Sequence, residues 1–417
     1  MEKYHLTAGD LNIYHARLIA DQQITCILEF SQSLDLNKLN NALTILYETL
    51  PILSYRVSVN GKHFQRVSAE HFQPIINKII EPENRSREIA VFIGTLCNPE
   101  IDPPLKLLLI REIHEDILCI KIDHILADGG GLRVLVSLLS EVYAQGQIIK
   151  GINYNRGIGQ ILFRFSPLTL LLAFRNAKLR IPGVTFMKGS VGDGEMFIEH
   201  VVLEPLQFEK MKKASKRLDS TINNLLLTGL YRAIFSYLPE NSPAYPVMVP
   251  VDMRRYLPSN RQNAIANLSA AIYPAIDPKP GESFEHTHLR VKNCIDNYKR
   301  HHPGLGIMLL MTIGSMNGGK MLFERYKKAA MHGSRLINMT NCGILDPVCG
   351  HFGNEKVKNA YFVGPIQFGP GIVITITTFA DRLHLIVQTK GNHEYKRFVQ
   401  DFMHTILSSV TFGLLSN

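Results

Sequence analysis

No tryptophan occurs among the 417 residues, and no run of about 20 apolar residues, the length a membrane-spanning helix needs, interrupts the chain. The most apolar stretch, 161–174 (ILFRFSPLTLLLAF), is too short and carries Arg164 and Pro167. Cysteine is scarce: six residues lie far apart, apart from Cys342 and Cys349, which are not spaced as a close metal-ligand pair, so no metal site is expected. Cys26 and Cys119 sit inside apolar strand-like runs and read as small core residues. The opening MEKYHLTAGD has no apolar signal-peptide region, so a cytoplasmic, reducing location is expected and the Asn-x-Ser/Thr matches at Asn84, Asn267 and Asn338 carry no consequence. Acidic residues are outnumbered, 36 against 45 basic, giving a net charge of +9 that favours anionic partners. The basic residues are scattered in short clusters, as at 210–217 and 325–328, which read as solvated helix faces. No nucleic-acid partner is expected.

What is present is a folded, moderately charged α/β composition, long enough for two domains or one two-lobed unit. Strands are expected at 24–30, 53–57, 105–111, 116–123, 197–203, 245–251 and 268–275, with three more between 361 and 388 and a turn at His114-Glu115. Helices are expected at 36–50, capped by Asp35 and ended by Pro51, and at 87–96, 130–143, 205–216, 222–238, 284–300 and 394–407. Residues 151–195 read as a crossover without strand alternation, dividing a lobe 1–150 from a lobe 196–417. Residues 116–139 and 382–402 both read strand, turn, helix, which suggests two similarly built halves. The greasy stretches 161–174 and 307–316 fit either buried core or a lipid-facing surface or acyl-chain channel; the second reading adds peripheral membrane contact.

The chemistry concentrates in Asp123-His124-Ile125-Leu126-Ala127-Asp128-Gly129, where an apolar strand ends and a helix begins. An imidazole there can take a proton near neutral pH, which suits a general base. A lone histidine before a helix is more often a hydrogen-bonded core residue, and Asp128 could simply cap that helix. The glycines at 129–131 allow a tight turn and close approach; they form no phosphate loop, because no Lys-Ser/Thr follows. His301-His302 reads as a polar helix end rather than a metal site.

His124-xxx-Asp128-Gly129 after an apolar strand resembles the HxxxDG motif of the thioester-dependent acyltransferase superfamily, which includes chloramphenicol acetyltransferase, peptide-synthetase condensation domains and alcohol acyltransferases. Pro250-Val251-Asp252-Met253-Arg254-Arg255-Tyr256-Leu257 is similar to the PVDLRxxL segment of its free-standing members, as are LTAGD, the layout from Asp35 through Val57, and Asn338 to Gly343. The resemblance implies two chloramphenicol-acetyltransferase-like lobes, each a mixed sheet with covering helices, set in a V around a tunnel. It implies His124 as the base acting without an acyl-enzyme, and an ion pair between Asp128 and Arg254, with Arg255 as second choice, that holds the loop beside Gly129. The donor would be acyl-coenzyme A or phosphopantetheine on an acidic acyl carrier protein; the acceptor, a small-molecule or lipid-like hydroxyl or amine. A monomer is expected, and a catalytically silent binding module is the competing reading. Asn341 is a candidate oxyanion donor or strand-end residue, Thr375 and Thr377 are candidate tunnel residues, and Asp252 reads as structural, as a cap or a partner of Arg255. Condensation domains carry two adjacent histidines; Asp123 stands at the first, which argues against standard peptide condensation.

Overall fold

A computed structural model of the chain describes residues 3–58, 61–67, 75–79, 84–113, 115–148, 151–177, 179, 186–187, 191–332, 336–349, 351–368 and 371–415. His114 of the expected turn, and residues 178, 180–185 and 188–190 of the expected crossover, lie outside the described residues. The architecture is mixed α/β, built on two large sheets with helices against them.

The first sheet runs in the order His351–Phe352, Glu355–Val363, Gln23–Phe30, Asp116–Asp123, Leu105–Arg111, Ile75–Ile79. Its central strands are apolar on both faces, and successive residues alternate between two cores. Cys26, Leu28, Leu118 and Ile120 meet the helices Leu36–Thr49 and Gly129–Gln145. Ile27, Ile117 and Cys119 meet Phe92 and Ile386 on the opposite side. The first of those helices forms where expected: the Asp35 carboxylate accepts the amides of Asn37 and Lys38, and Leu39, Leu43 and Leu46 return to one buried face.

The second sheet runs Ser269–Ile272, Tyr245–Asp252, Ile337–Ile344, Ile372–Phe379, Arg382–Gly391, Val191–Leu203. One face is covered by the helices Ile222–Phe235, Phe284–Arg300 and His393–Leu415. The strand expected at 268–275 is two short strands, Ser269–Ile272 and Ala275–Ile276. Pro274, which has no N–H and restrains Tyr273, separates them. Both still pair with Tyr245–Asp252. The two strand–turn–helix units read from the sequence are present as Asp116–Asp123 with Gly129–Gln145 and Arg382–Gly391 with His393–Leu415.

Sequence order and spatial order part at Glu355–Val363. It lies between strands of the second sheet along the chain, yet pairs antiparallel with Gln23–Phe30 in the first. The segment 196–417 therefore supplies two strands to the sheet built mainly by 1–150. A strand's apolar pattern states how much of it is buried, not which neighbour it pairs with, so this crossing was invisible beforehand. Across the seam, the Thr377 hydroxyl accepts the Phe362 amide at 3.2 Å, and Phe379 enters the core under the first sheet.

The stretch expected at 307–316 belongs to Leu305–His332, two helices joined at a break where Asn317, Gly318 and Gly319 have φ of 53°, 69° and 80°. Asn and Gly are the residues that take that left-handed conformation at least cost. The break lies against the N-terminal helix Ala8–Ala16, where Gly319 comes close to His15. The crossover also holds helices, Gly159–Leu162 and Pro167–Asn176, and its last residues begin the strand Val191–Leu203. Among the described residues no helix is long and apolar enough to cross a membrane.

Candidate active site

The strand Asp116–Asp123 delivers His124 to the point where the first sheet meets the arm 252–268 of the second half. The His124 amide donates to the Gln22 carbonyl at 2.8 Å, and its half-buried ring places Nδ1 3.1 Å from Asn267 Oδ1. The orientation of the Asn267 amide is fixed independently. Its Nδ2 donates to Asp10 Oδ1 at 3.0 Å and to the Ile125 carbonyl at 3.1 Å, both acceptors. Oδ1 must then face the ring and accept, so Nδ1 carries a hydrogen, and in the neutral ring the lone pair is on Nε2. Buried Asp10 is held in turn: its Oδ1 accepts from Arg156 Nη2 at 2.7 Å, and its Oδ2 accepts the Thr7 amide in a capping box at the start of Ala8–Ala16.

Arg156 reaches out of the crossover and ties down the loop that follows His124. It donates to the carbonyls of Leu126 and Ile265 at 2.7 Å each and to that of Ile125 at 3.1 Å. Gly9 makes the approach of the N-terminal helix feasible, since a Cβ there would lie 2.4 Å from the Asn267 carbonyl oxygen.

Asp128 never turns toward the space around His124. It caps the helix Gly129–Gln145 through the Gly131 amide at 2.8 Å, accepts the Leu268 amide at 2.7 Å, and pairs with Arg254 at 2.9 Å. Burial alone would raise its pKa, but the Arg254 guanidinium and these donors hold it below the ordinary carboxylate value. Arg254, 4% exposed, also donates to the carbonyls of Ala264 and Ala266. Arg254 and not Arg255 is thus the partner of Asp128. Asp252 caps the 3₁₀ turn Met253–Tyr256 and pairs with Arg254 at 3.1 Å, where Arg255 was the partner weighed; Arg255 lies over the Tyr256 ring.

Asp123, at the position of the first motif histidine, is fully committed to structure. Its carboxylate forms an ion pair with Arg17 and accepts the Ile125 amide at 2.9 Å. Burial nevertheless raises its pKa.

The remaining expected residues divide. Cys342, in the Asn338 to Gly343 segment, approaches Gly129 at the start of the motif helix, while exposed Asn341 uses its Oδ1 to accept the Gly343 amide at 2.8 Å, a strand-end arrangement. Thr375 and Thr377 are buried at the seam between the sheets; Thr375 Oγ1 has no hydrogen-bond partner among the described residues. His301 caps its helix, with Nδ1 2.8 Å from the Asn297 carbonyl. A cleft of about 550 Å³ opens beside the motif helix, with Gly130, Arg133, Ser137, Arg254 and Arg255 in its wall; His124 is not among its lining residues. Asn267 and Arg156 were missed by sequence reasoning. The one signal at Asn267 was an unrelated Asn-x-Ser match, and an arginine in a presumed linker gives none.

No family model matches the sequence, and no curated protein matches it. Solved structures match over nearly the whole chain. The first condensation domain of the CDA synthetase is similar with a TM-score of 0.70 at 14% identity, covering 98% of this chain and 96% of that one. Polyketide synthase associated protein 5 from Mycobacterium tuberculosis gives 0.66 at 15%, covering 98% and 97%. The epimerization domain from the third module of tyrocidine synthetase B gives 0.69 at 14%, covering 99% and 97%.

Proposed function

We propose that this chain, which has the condensation-domain fold of two chloramphenicol-acetyltransferase-like lobes, is an acyltransferase, moving an acyl group from a thioester, acyl-coenzyme A in preference, to a hydroxyl or amine. The supporting observation is the chain Arg156–Asp10–Asn267–His124, which leaves Nε2 as a lone-pair base at the end of a rigid strand. Nε2 takes the proton of the acceptor O–H or N–H as that atom bonds to the thioester carbonyl carbon. The tetrahedral intermediate then expels the thiolate, which recovers the proton from His124, so no covalent bond to the enzyme forms. Asp128, Gly129 and Arg254 keep the loop in place; Asn341, Thr375 and Thr377 receive no chemical role.

The +9 charge suits a phosphate-bearing donor, as do Arg133 and Arg255 in the cleft beside the motif helix. Phosphopantetheine on an acidic carrier protein presents the same thioester and a charge of the same sign. The deciding assay is acceptor-dependent release of free thiol across a panel of acyl-coenzyme A and carrier-bound donors. Release that requires both donor and acceptor supports acyl transfer, and the preferred arm identifies the donor. No release above a donor-only blank in either arm refutes it in favour of a silent binding module.

A further inference from the structure

The apolar stretch in the crossover is only partly core. Ile161, Leu162 and Ala173 are buried against Met253, Leu305 and Met308. The other side of the helix Pro167–Asn176 faces out: Leu168, Leu171 and Leu172 are 65%, 55% and 50% exposed, and Phe163, just before it, is 92% exposed. The spacing i, i+3, i+4 puts the three leucines on one stripe, while Leu170 and Ala173 turn inward. Exposed apolar residues such as Ile113 and Leu206 stand singly along the sequence, whereas Phe163, Leu168, Leu171 and Leu172 fall close together. A grouped display of this kind marks an interaction surface.

Charge selects the occupant. Between residues 142 and 192 the sequence carries seven lysines and arginines and no aspartate or glutamate. Arg164 and Arg175, both exposed, flank the leucine stripe. The companion helix packed against this one adds exposed Ile313 and Met316, and no acidic residue occurs between Asp296 and Glu324. Ten residues of helix are too short to span a bilayer but suit one lying in its interface, apolar side chains down and arginines at headgroup level. We infer that Phe163, Leu168, Leu171 and Leu172 form a docking surface for an anionic lipid bilayer, with Arg164 and Arg175 contacting lipid phosphates. This surface does not depend on the chemistry at His124.

The test is flotation of the full chain with phosphatidylcholine vesicles, with and without phosphatidylserine, alongside light scattering in the absence of lipid. The wild type should bind the serine-lipid vesicles, more weakly as salt rises. Replacing Leu168, Leu171 and Leu172 together with Gln should lower partitioning at least about tenfold, and Arg164→Glu with Arg175→Glu should abolish the preference for anionic lipid. Because all five side chains are exposed, thermal melting should stay unchanged. The inference is overturned if the wild type does not float, if the leucine variant floats equally well, or if the wild type is a dimer that the leucine variant dissociates, which would make the stripe a self-interface.

Discussion

Replacing Asn267 with Ala separates placing the His124 ring from folding the loop. The side chain makes three hydrogen bonds: one accepted from His124 and two donated, to Asp10 and to the Ile125 carbonyl. At about 1 kcal/mol net for each, the folded state should lose about 2–4 kcal/mol. Unfolding is not expected, because Asp10 keeps Arg156 and the Thr7 amide, and the His124 backbone keeps Gln22. The ring, in contrast, loses the acceptor that fixes its tautomer and its angle. Every 1.36 kcal/mol of lost transition-state stabilisation is tenfold in rate, so kcat should fall about tenfold to a hundredfold with KM nearly unchanged. The assay is steady-state thiol release with the donor and acceptor identified above, paired with urea denaturation. If stability falls while kcat stays within about twofold of wild type, Asn267 is a structural residue and the assignment of the lone pair to Nε2 through this network is wrong.

Arg254→Ala should cost about 3–5 kcal/mol by leaving buried Asp128 without its cation, and Arg254→Lys should not restore it, since one ammonium cannot replace the donors to Asp128, Ala264 and Ala266; chemical denaturation measures both. Gly9→Ala should reproduce the activity loss of Asn267→Ala from outside the site, because the new Cβ would collide with the Asn267 carbonyl. His200 and His384, 2.9 Å apart beside Tyr361, are lowered by burial to about 4 and about 3. The unfolded chain therefore binds more protons than the folded one from about pH 6.5 down to that range, and stability should fall on acidification by on the order of a few kcal/mol. A His200→Gln, His384→Gln double variant should flatten that decline in urea titrations between pH 7 and pH 4, and an unchanged slope would refute the reading. Asp21, raised by burial to about 7, shows the opposite dependence: the folded state holds its proton between the ordinary carboxylate value and pH 7, and stability is lost as pH rises through that range. Asp21→Asn should therefore be more stable than wild type at pH 8.

What the sequence could reveal follows from how far each signal reaches. Local signals were readable: the cap at Asp35, the leucine spacing that follows it, and the strand–turn–helix at His124 all lie within a few residues of what they determine. The Asp128–Arg254 pair followed only from the resemblance of two separate segments to known acyltransferase motifs. The seam strand Glu355–Val363 was not, since register and partner depend on the second chain segment. Asn267, Asp10 and Arg156 converge on His124 from three separate regions; Asp10 lies in the LTAGD segment, but nothing there ties it to His124, and nothing in the surroundings of Asn267 or Arg156 marks them. The stretch 161–174 was ambiguous for a related reason: apolar content alone cannot say which side of a helix the rest of the protein covers.

The claim that His124 is the base is tested most directly by comparing wild type and His124→Ala for acceptor-dependent thiol release, with intact mass spectrometry after incubation with donor alone. The expected result is a loss of about 10²–10⁴-fold in the variant, with folding preserved and no acyl adduct on the wild-type protein. Equal rates in the two proteins, or a stable acyl adduct on the wild type, would contradict it.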